Sequence, residues 1–175
     1  MSGLDDQQYS EVWKLLISCI LATDMALHFA LVSQFETLIQ NRPSQLSYEQ
    51  KKLVANMLLK CADISNVVKP FPIAKNWAEI LCNEFFLQGD IEKAKGLEIS
   101  PLMDRASVIM PQMQLGFINS ICFPLFNMLV SFIPDLVVLT NTLKDNITEW
   151  NRILKQGYAN AKAKAEHAKA EHRQQ

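Results

Sequence analysis

Apolar residues in this chain recur at helical spacing, and nowhere do they alternate with polar ones in β-branched runs. That pattern predicts an all-α fold, a compact multi-helix bundle. The scarcity of punctuation agrees, with only five glycines in 175 residues. The clearest local signal is Ser47, an N-cap candidate with Gln50 three residues on as its capping-box partner. Behind it Leu53, Val54, Met57, Leu58 and Cys61 fall on one helix face.

Breaks divide the helical text. A first helix is expected from about Ser10 to Gln40, ended by Asn41-Arg42-Pro43-Ser44, because the residue before a proline is pushed out of the α region. Asn66 to Pro72 reads as a turn or extended link with Pro70 and Pro72 as stops. Ile73 to Leu87 reads as helix, Gly89-Asp90 as a break and Gly96 to Pro101 as a loop. Met110 to Phe132 is a long apolar helix that Pro124 should kink or interrupt. Pro134 opens a last helix running to about Leu154. From Ala159 to Gln175 the text is Ala, Lys, Glu and His without an apolar stripe, either a solvated helical extension or a frayed tail. The expected division is therefore 1–154 as folded domain and 155–175 as charged tail.

Composition narrows the class. The length suits one domain or part of a larger one. Seventeen Lys and Arg against eighteen Asp and Glu predict no nucleic-acid partner. Cys19, Cys61, Cys82 and Cys122 are scattered, with no CxxC spacing, which suits packing thiols in a reducing, cytoplasmic setting. The polar, acidic start (Asp5, Asp6) is unlike a secretory signal. Val12 to Val32 is very apolar, but Lys14, Asp24 and His28 interrupt it. It is expected to be a buried core helix rather than a membrane span.

Several side chains suggest chemistry, each beside a plainer reading. Asp63 lies in Cys61-Ala62-Asp63-Ile64-Ser65-Asn66, a carboxylate among apolar neighbours that needs a metal ion, or else an ion pair or helix cap. Trp77, Leu81, Glu84 and Phe85 share a helix face, where Glu84 could orient a histidine or form a structural salt bridge. Gln114 and Phe117, three apart, could read and stack a flat base, or could be ordinary core residues. Asp24 and His28 are an i, i+4 pair, either two metal ligands or hydrogen-bond partners. His167 and His172 share no face and are expected in solvent.

Taken together these segments resemble the C-terminal half of a class I cyclic nucleotide phosphodiesterase catalytic domain. The likeness runs from about Ile20 to Leu154. Its segments are Ala22-Thr23-Asp24-Met25, Leu59 to Pro70, Trp77 with Glu84-Phe85-Phe86 and Gln88-Gly89-Asp90, Glu98 to Pro101 with Asp104-Arg105, and Gln114 to Ile118. The resemblance implies hydrolysis of cAMP or cGMP to the 5′-monophosphate in signal transduction. Asp63 would be a ligand of a Zn2+ and Mg2+ (or Mn2+) pair, and Thr23 would stand near a metal-bound water. Glu84 would hold the general-acid histidine. Gln114 would hydrogen-bond the purine between the jaws Phe117 and Leu81, with Asn66 and Phe85 lining the same pocket. The pair of ions would activate water, and the histidine would protonate the departing 3′ oxygen.

The chain also departs from that family. The histidines expected in His-Asn-x-x-His and His-Asp patterns are missing, and the one histidine before the tail, His28, matches neither. The resemblance therefore implies an incomplete ligand set and an inactive chain in isolation. Three readings follow: a phosphodiesterase represented by its C-terminal half, a truncated non-catalytic module that self-associates or pairs with an N-terminal half, and a helical scaffold with no nucleotide site.

Overall fold

The computed structural model describes residues 3–172, with side chains described for residues 3–160. Seven α-helices are described and no strand occurs among the described residues, so the all-α expectation holds: α1 (Asp6–Leu21), α2 (His28–Asn41), α3 (Tyr48–Asp63), α4 (Phe71–Ala94), α5 (Met110–Phe117), α6 (Phe123–Phe132) and α7 (Val137–His172). They fall into two compact units, 1–65 with 122–140, and 66–121 with 141–175.

The first unit is built on α3, whose start Ser47 and Gln50 cap reciprocally as expected. α1 and α2 both pack on α3, and α6 packs on α2 and α3. Phe35, Leu38, Met57, Cys61, Cys122, Leu125, Phe126 and Leu129 form its core, and the Phe35 and Phe132 rings meet at 5.3 Å. Ser18 and Asn56 add a polar link between α1 and α3 at 3.1 to 3.2 Å.

The single first helix expected here is two helices meeting at 86°. Asp24 causes the break, because its carboxylate accepts from the Ala26 amide at 2.8 Å and starts a short 3-10 turn ahead of α2. Nor is the apolar run buried as expected. Ile17, Ile20, Leu21 and Phe29 are exposed, Ile20 at 63% and Phe29 at 69%.

The second unit joins α4, α5 and the body of α7. Of the turn or extended link expected here the chain takes the turn, a 3-10 turn at Ser65–Val68, and Asn146 on α7 donates to the Val67 and Lys69 carbonyls, both at 2.8 Å. Pro70 and Pro72 do not stop α4. They open it, where a missing N–H costs nothing. Trp150 is fully buried, with Phe71 against its edge at 5.1 Å.

Gly89 does not break α4, which runs on to Ala94. It is needed because any Cβ there would collide with the Met103 carbonyl. The loop that follows is tied back twice. Glu92 accepts from the Ser100 amide and hydroxyl at 2.7 and 2.8 Å, and Arg105 pairs with Asp90 while lying over the Phe86 ring.

At Pro124 the expected interruption is a π turn, Ile118–Cys122, with the proline in the first turn of α6. By length and composition the stretch 110–132 could cross a membrane, and 28% of its apolar window is buried in the protein, Leu125, Phe126 and Leu129 among it. The last helix begins with a 3-10 turn at Pro134 and passes Leu154 without a break. The side chains of His167 and His172 lie outside the described residues.

Candidate functional site

In the first unit Asp63 is the last residue of α3 and is exposed. Its sequence neighbours are apolar, but the carboxylate itself reaches solvent, so it needs neither ion pair nor metal to be tolerated. No salt bridge or hydrogen bond occupies it among the described residues. It lines an open hollow of about 460 Å³ with Ile20, Thr23, Leu59 and Ala62. Sequence reasoning had paired Asp63 with Thr23 only through the resemblance, and the fold does bring them to one place. The Thr23 hydroxyl donates to the Ile20 carbonyl at 2.7 Å, which fixes its orientation.

Lys60 lies beneath this corner and was not singled out in the sequence. Only 2% exposed, it donates from Nζ to the Ala22 carbonyl at 3.2 Å and the Asp24 carbonyl at 3.5 Å, on either side of Thr23. Burial lowers its pKa, and Asp63 and Asp24 partly oppose that. The available signal was a lysine one turn before Asp63, beside the apolar face of α3.

Asp24 and His28 do not form the hydrogen bond expected of the pair. Asp24 caps the 3-10 turn, while His28 is 2% exposed and its Nδ1 has no hydrogen-bond partner. Burial, then the nearby Lys60 charge, lowers the His28 pKa.

The remaining candidates belong to the second unit. Gln114 is 5% exposed on α5 yet makes no side-chain hydrogen bond to any described residue. It is not among the fully enclosed unpartnered atoms, so its amide end retains contact with solvent. Phe117, one turn on, is half-buried. α4 packs against α5, with Glu84 and Leu81 exposed, Phe85 half-buried, and Asn66 half-buried in the turn before α4. Glu84 forms no salt bridge among the described residues. The shared face of Trp77, Leu81 and Glu84 is the open side of α4, and its small residues Ala74, Ala78, Cys82 and Gly89 face the core.

All four thiols are buried and free, and burial holds Cys61 and Cys122 up at about 12. They are packing groups at neutral pH. Among the described residues no group of three or more His, Cys, Asp or Glu could hold a metal ion. Asp63 alone does not fit zinc, which takes four ligands.

Comparison with known proteins identifies the family. A family model described as 3'5'-cyclic nucleotide phosphodiesterase matches residues 1–143. The chain belongs to this family of phosphoric diester hydrolases. It is 35% identical over 156 residues to the mouse 3',5'-cyclic-AMP phosphodiesterase 4C, covering 85% of this chain and 23% of that one. It is 34% identical over 152 residues to the Drosophila melanogaster 3',5'-cyclic-AMP phosphodiesterase, isoform F, covering 82% and 23%. A solved structure, LmjPDEB1 in complex with IBMX, superposes with a TM-score of 0.83 at 34% identity, covering 88% of this chain and 47% of that one. The chain thus spans about a quarter of the curated relatives' length and about half of the solved chain.

Proposed function

We propose that this chain supplies the purine-recognition part of a cyclic nucleotide phosphodiesterase, acting on 3',5'-cyclic nucleotides and on cAMP foremost. The observation that carries this reading is Gln114. Its amide makes no hydrogen bond within the described residues and reaches solvent, so its donor and acceptor are both free to meet a ligand that carries an acceptor and a donor on one edge. Phe117 and Leu81 would hold the base from its two faces, with Asn66 and Phe85 lining the pocket. Glu84, free of any salt bridge, would orient an imidazole. The preference for cAMP follows the names of the relatives, since a glutamine amide can present itself either way round.

In the first unit Asp63 would contribute a carboxylate to the metal pair that the family implies, and Thr23 a hydroxyl beside it. Hydrolysis needs imidazole ligands and a general acid that the described residues do not provide. The chain alone should therefore bind nucleotide without turning it over.

Calorimetric titration of the purified chain with cAMP and cGMP tests this. Binding weakened about tenfold or more by Gln114→Ala is expected, from the loss of one buried hydrogen bond. Unchanged binding in that variant would sink the recognition role. Steady hydrolysis by contaminant-free chain would sink the claim that ligands are missing.

A second reading, a non-catalytic module that associates with another polypeptide, is favoured by the exposed apolar residues of α1. Trp13, Leu16, Ile17, Ile20 and Leu21 all reach solvent there. Sedimentation velocity of the chain and of an Ile17→Glu, Ile20→Glu double variant separates the cases. Association that the variant abolishes supports this reading, and a monomer at every concentration removes it.

A further inference from the structure

We propose that the first unit carries a second binding site, for a medium-chain aliphatic carboxylate, where the C-terminal end of α2 meets the end of α6. A hollow of about 310 Å³ lies there and opens to solvent. Its walls are hydrocarbon: Leu38, Ile39, Leu46 and Phe132, with Pro43 and Pro134 at its edges. Two polar side chains also line it. The Ser131 hydroxyl is committed, donating to the Asn127 carbonyl at 3.0 Å. Arg42 is exposed at the mouth of the hollow, and its guanidinium makes no ion pair or hydrogen bond among the described residues. No acidic side chain lines the hollow.

The backbone at Arg42 is a second and independent observation. Arg42 caps α2 in the left-handed region, at φ 36° and ψ 63°, with its amide on the Leu38 carbonyl at 3.1 Å. Glycine is the usual residue at such a cap, because a side chain there is strained. An observed strained position points to use of its side chain. Here that side chain is the one uncommitted charged group in an otherwise apolar hollow.

Three features then select the ligand. A planar guanidinium with parallel N–H donors matches a carboxylate. A lining with a single cation suits a monoanion rather than a nucleotide phosphate. Apolar walls and a volume at the lower end of the range for ligand pockets, about 300–1,000 Å³, suit a short hydrocarbon tail. The site shares no residue with the Asp63 hollow or the Gln114 face, so it stands or falls apart from the nucleotide reading.

The test is calorimetric titration of the full chain and of Arg42→Gly with octanoate and with 1-octanol. The glycine variant removes the guanidinium and relieves the left-handed strain, so misfolding cannot explain a loss of binding. Octanoate should bind the unaltered chain more tightly than 1-octanol, and less tightly as salt rises. In Arg42→Gly octanoate should weaken about tenfold or more, the expected cost of losing a charged hydrogen bond, while 1-octanol stays unchanged. No octanoate binding, equal binding in Arg42→Gly, or 1-octanol binding as tightly as octanoate would each overturn the proposal.

Discussion

Lys60 on α3 donates to the carbonyl of Ala22, the C-cap residue of α1, at 3.2 Å. A helix leaves its last carbonyls without partners, and a cation near that end also meets the negative end of the helix dipole. Lys60 thus acts as a C-terminal cap supplied by a neighbouring helix, and it holds the corner that presents Thr23. Lys60→Met keeps the apolar stem and removes the donor. Chemical denaturation should show about 1–3 kcal/mol lost, the cost of leaving buried carbonyls unpaired. A variant as stable as the unaltered chain would mean that solvent reaches those carbonyls.

His28 gives the first unit an acid-sensitive point. Its folded pKa lies below the usual 6.5, because burial and the adjacent Lys60 charge both disfavour the imidazolium. The unfolded chain therefore binds more protons between the folded value and 6.5, so stability rises with pH through that window. Acidification from pH 7 should lower the melting temperature, starting near 6.5 and levelling only below the folded pKa. His28→Phe, which cannot titrate, should flatten that part of the profile. An unchanged slope in the variant would assign the acid sensitivity to other groups.

What the sequence made legible was local. The Ser47–Gln50 box was readable because both partners and the bonds they make lie within one turn. The interruption at Pro124 was readable for the same reason, since a proline alters its own helix. The roles of Gly89 and of Asp63 were not. The need for glycine at 89 comes from Met103, brought back by the loop. The exposure of Asp63 comes from the phase of α3 against α1 and α2. The bend at Asp24 had a visible capping residue, but the apolar run around it outweighed that signal. In the candidate site the residue types were legible, while the absence of partners for Gln114 and Glu84 is tertiary information.

Gly89 offers a direct test of that tertiary constraint. Gly→Ala within a helix ordinarily stabilises it, by about 0.5–1 kcal/mol. At Gly89 the added methyl would occupy the position of a backbone carbonyl, which cannot step aside as a side-chain end would. Gly89→Ala should therefore destabilise, by about 1–3 kcal/mol as overpacking typically does. Thermal melting distinguishes the two signs, and a rise in melting temperature would show that the 100–105 loop does not hold against α4.

Asn146 closes the second unit around the start of α4. It is 1% exposed, and its single amide nitrogen satisfies two carbonyls, those of Val67 and Lys69, both at 2.8 Å. The turn carrying Asn66 is held to α7 through that nitrogen. Asn146→Ala leaves two acceptors unpaired, one of them fully buried, and creates a void where the amide was. A loss of about 2–4 kcal/mol is expected, from about 1–3 for the unsatisfied group and the remainder for the cavity. Asn146→Asp is the sharper control, being similar in size. It replaces the donor with an acceptor facing two acceptors, so it should cost more than alanine at pH 7 and recover as the carboxyl is protonated at low pH. Denaturant melts of both variants at pH 7 and pH 4 read this out. If aspartate were tolerated at pH 7 as well as alanine, the turn would be held by the packing of Val67 and Val68 and not by this amide.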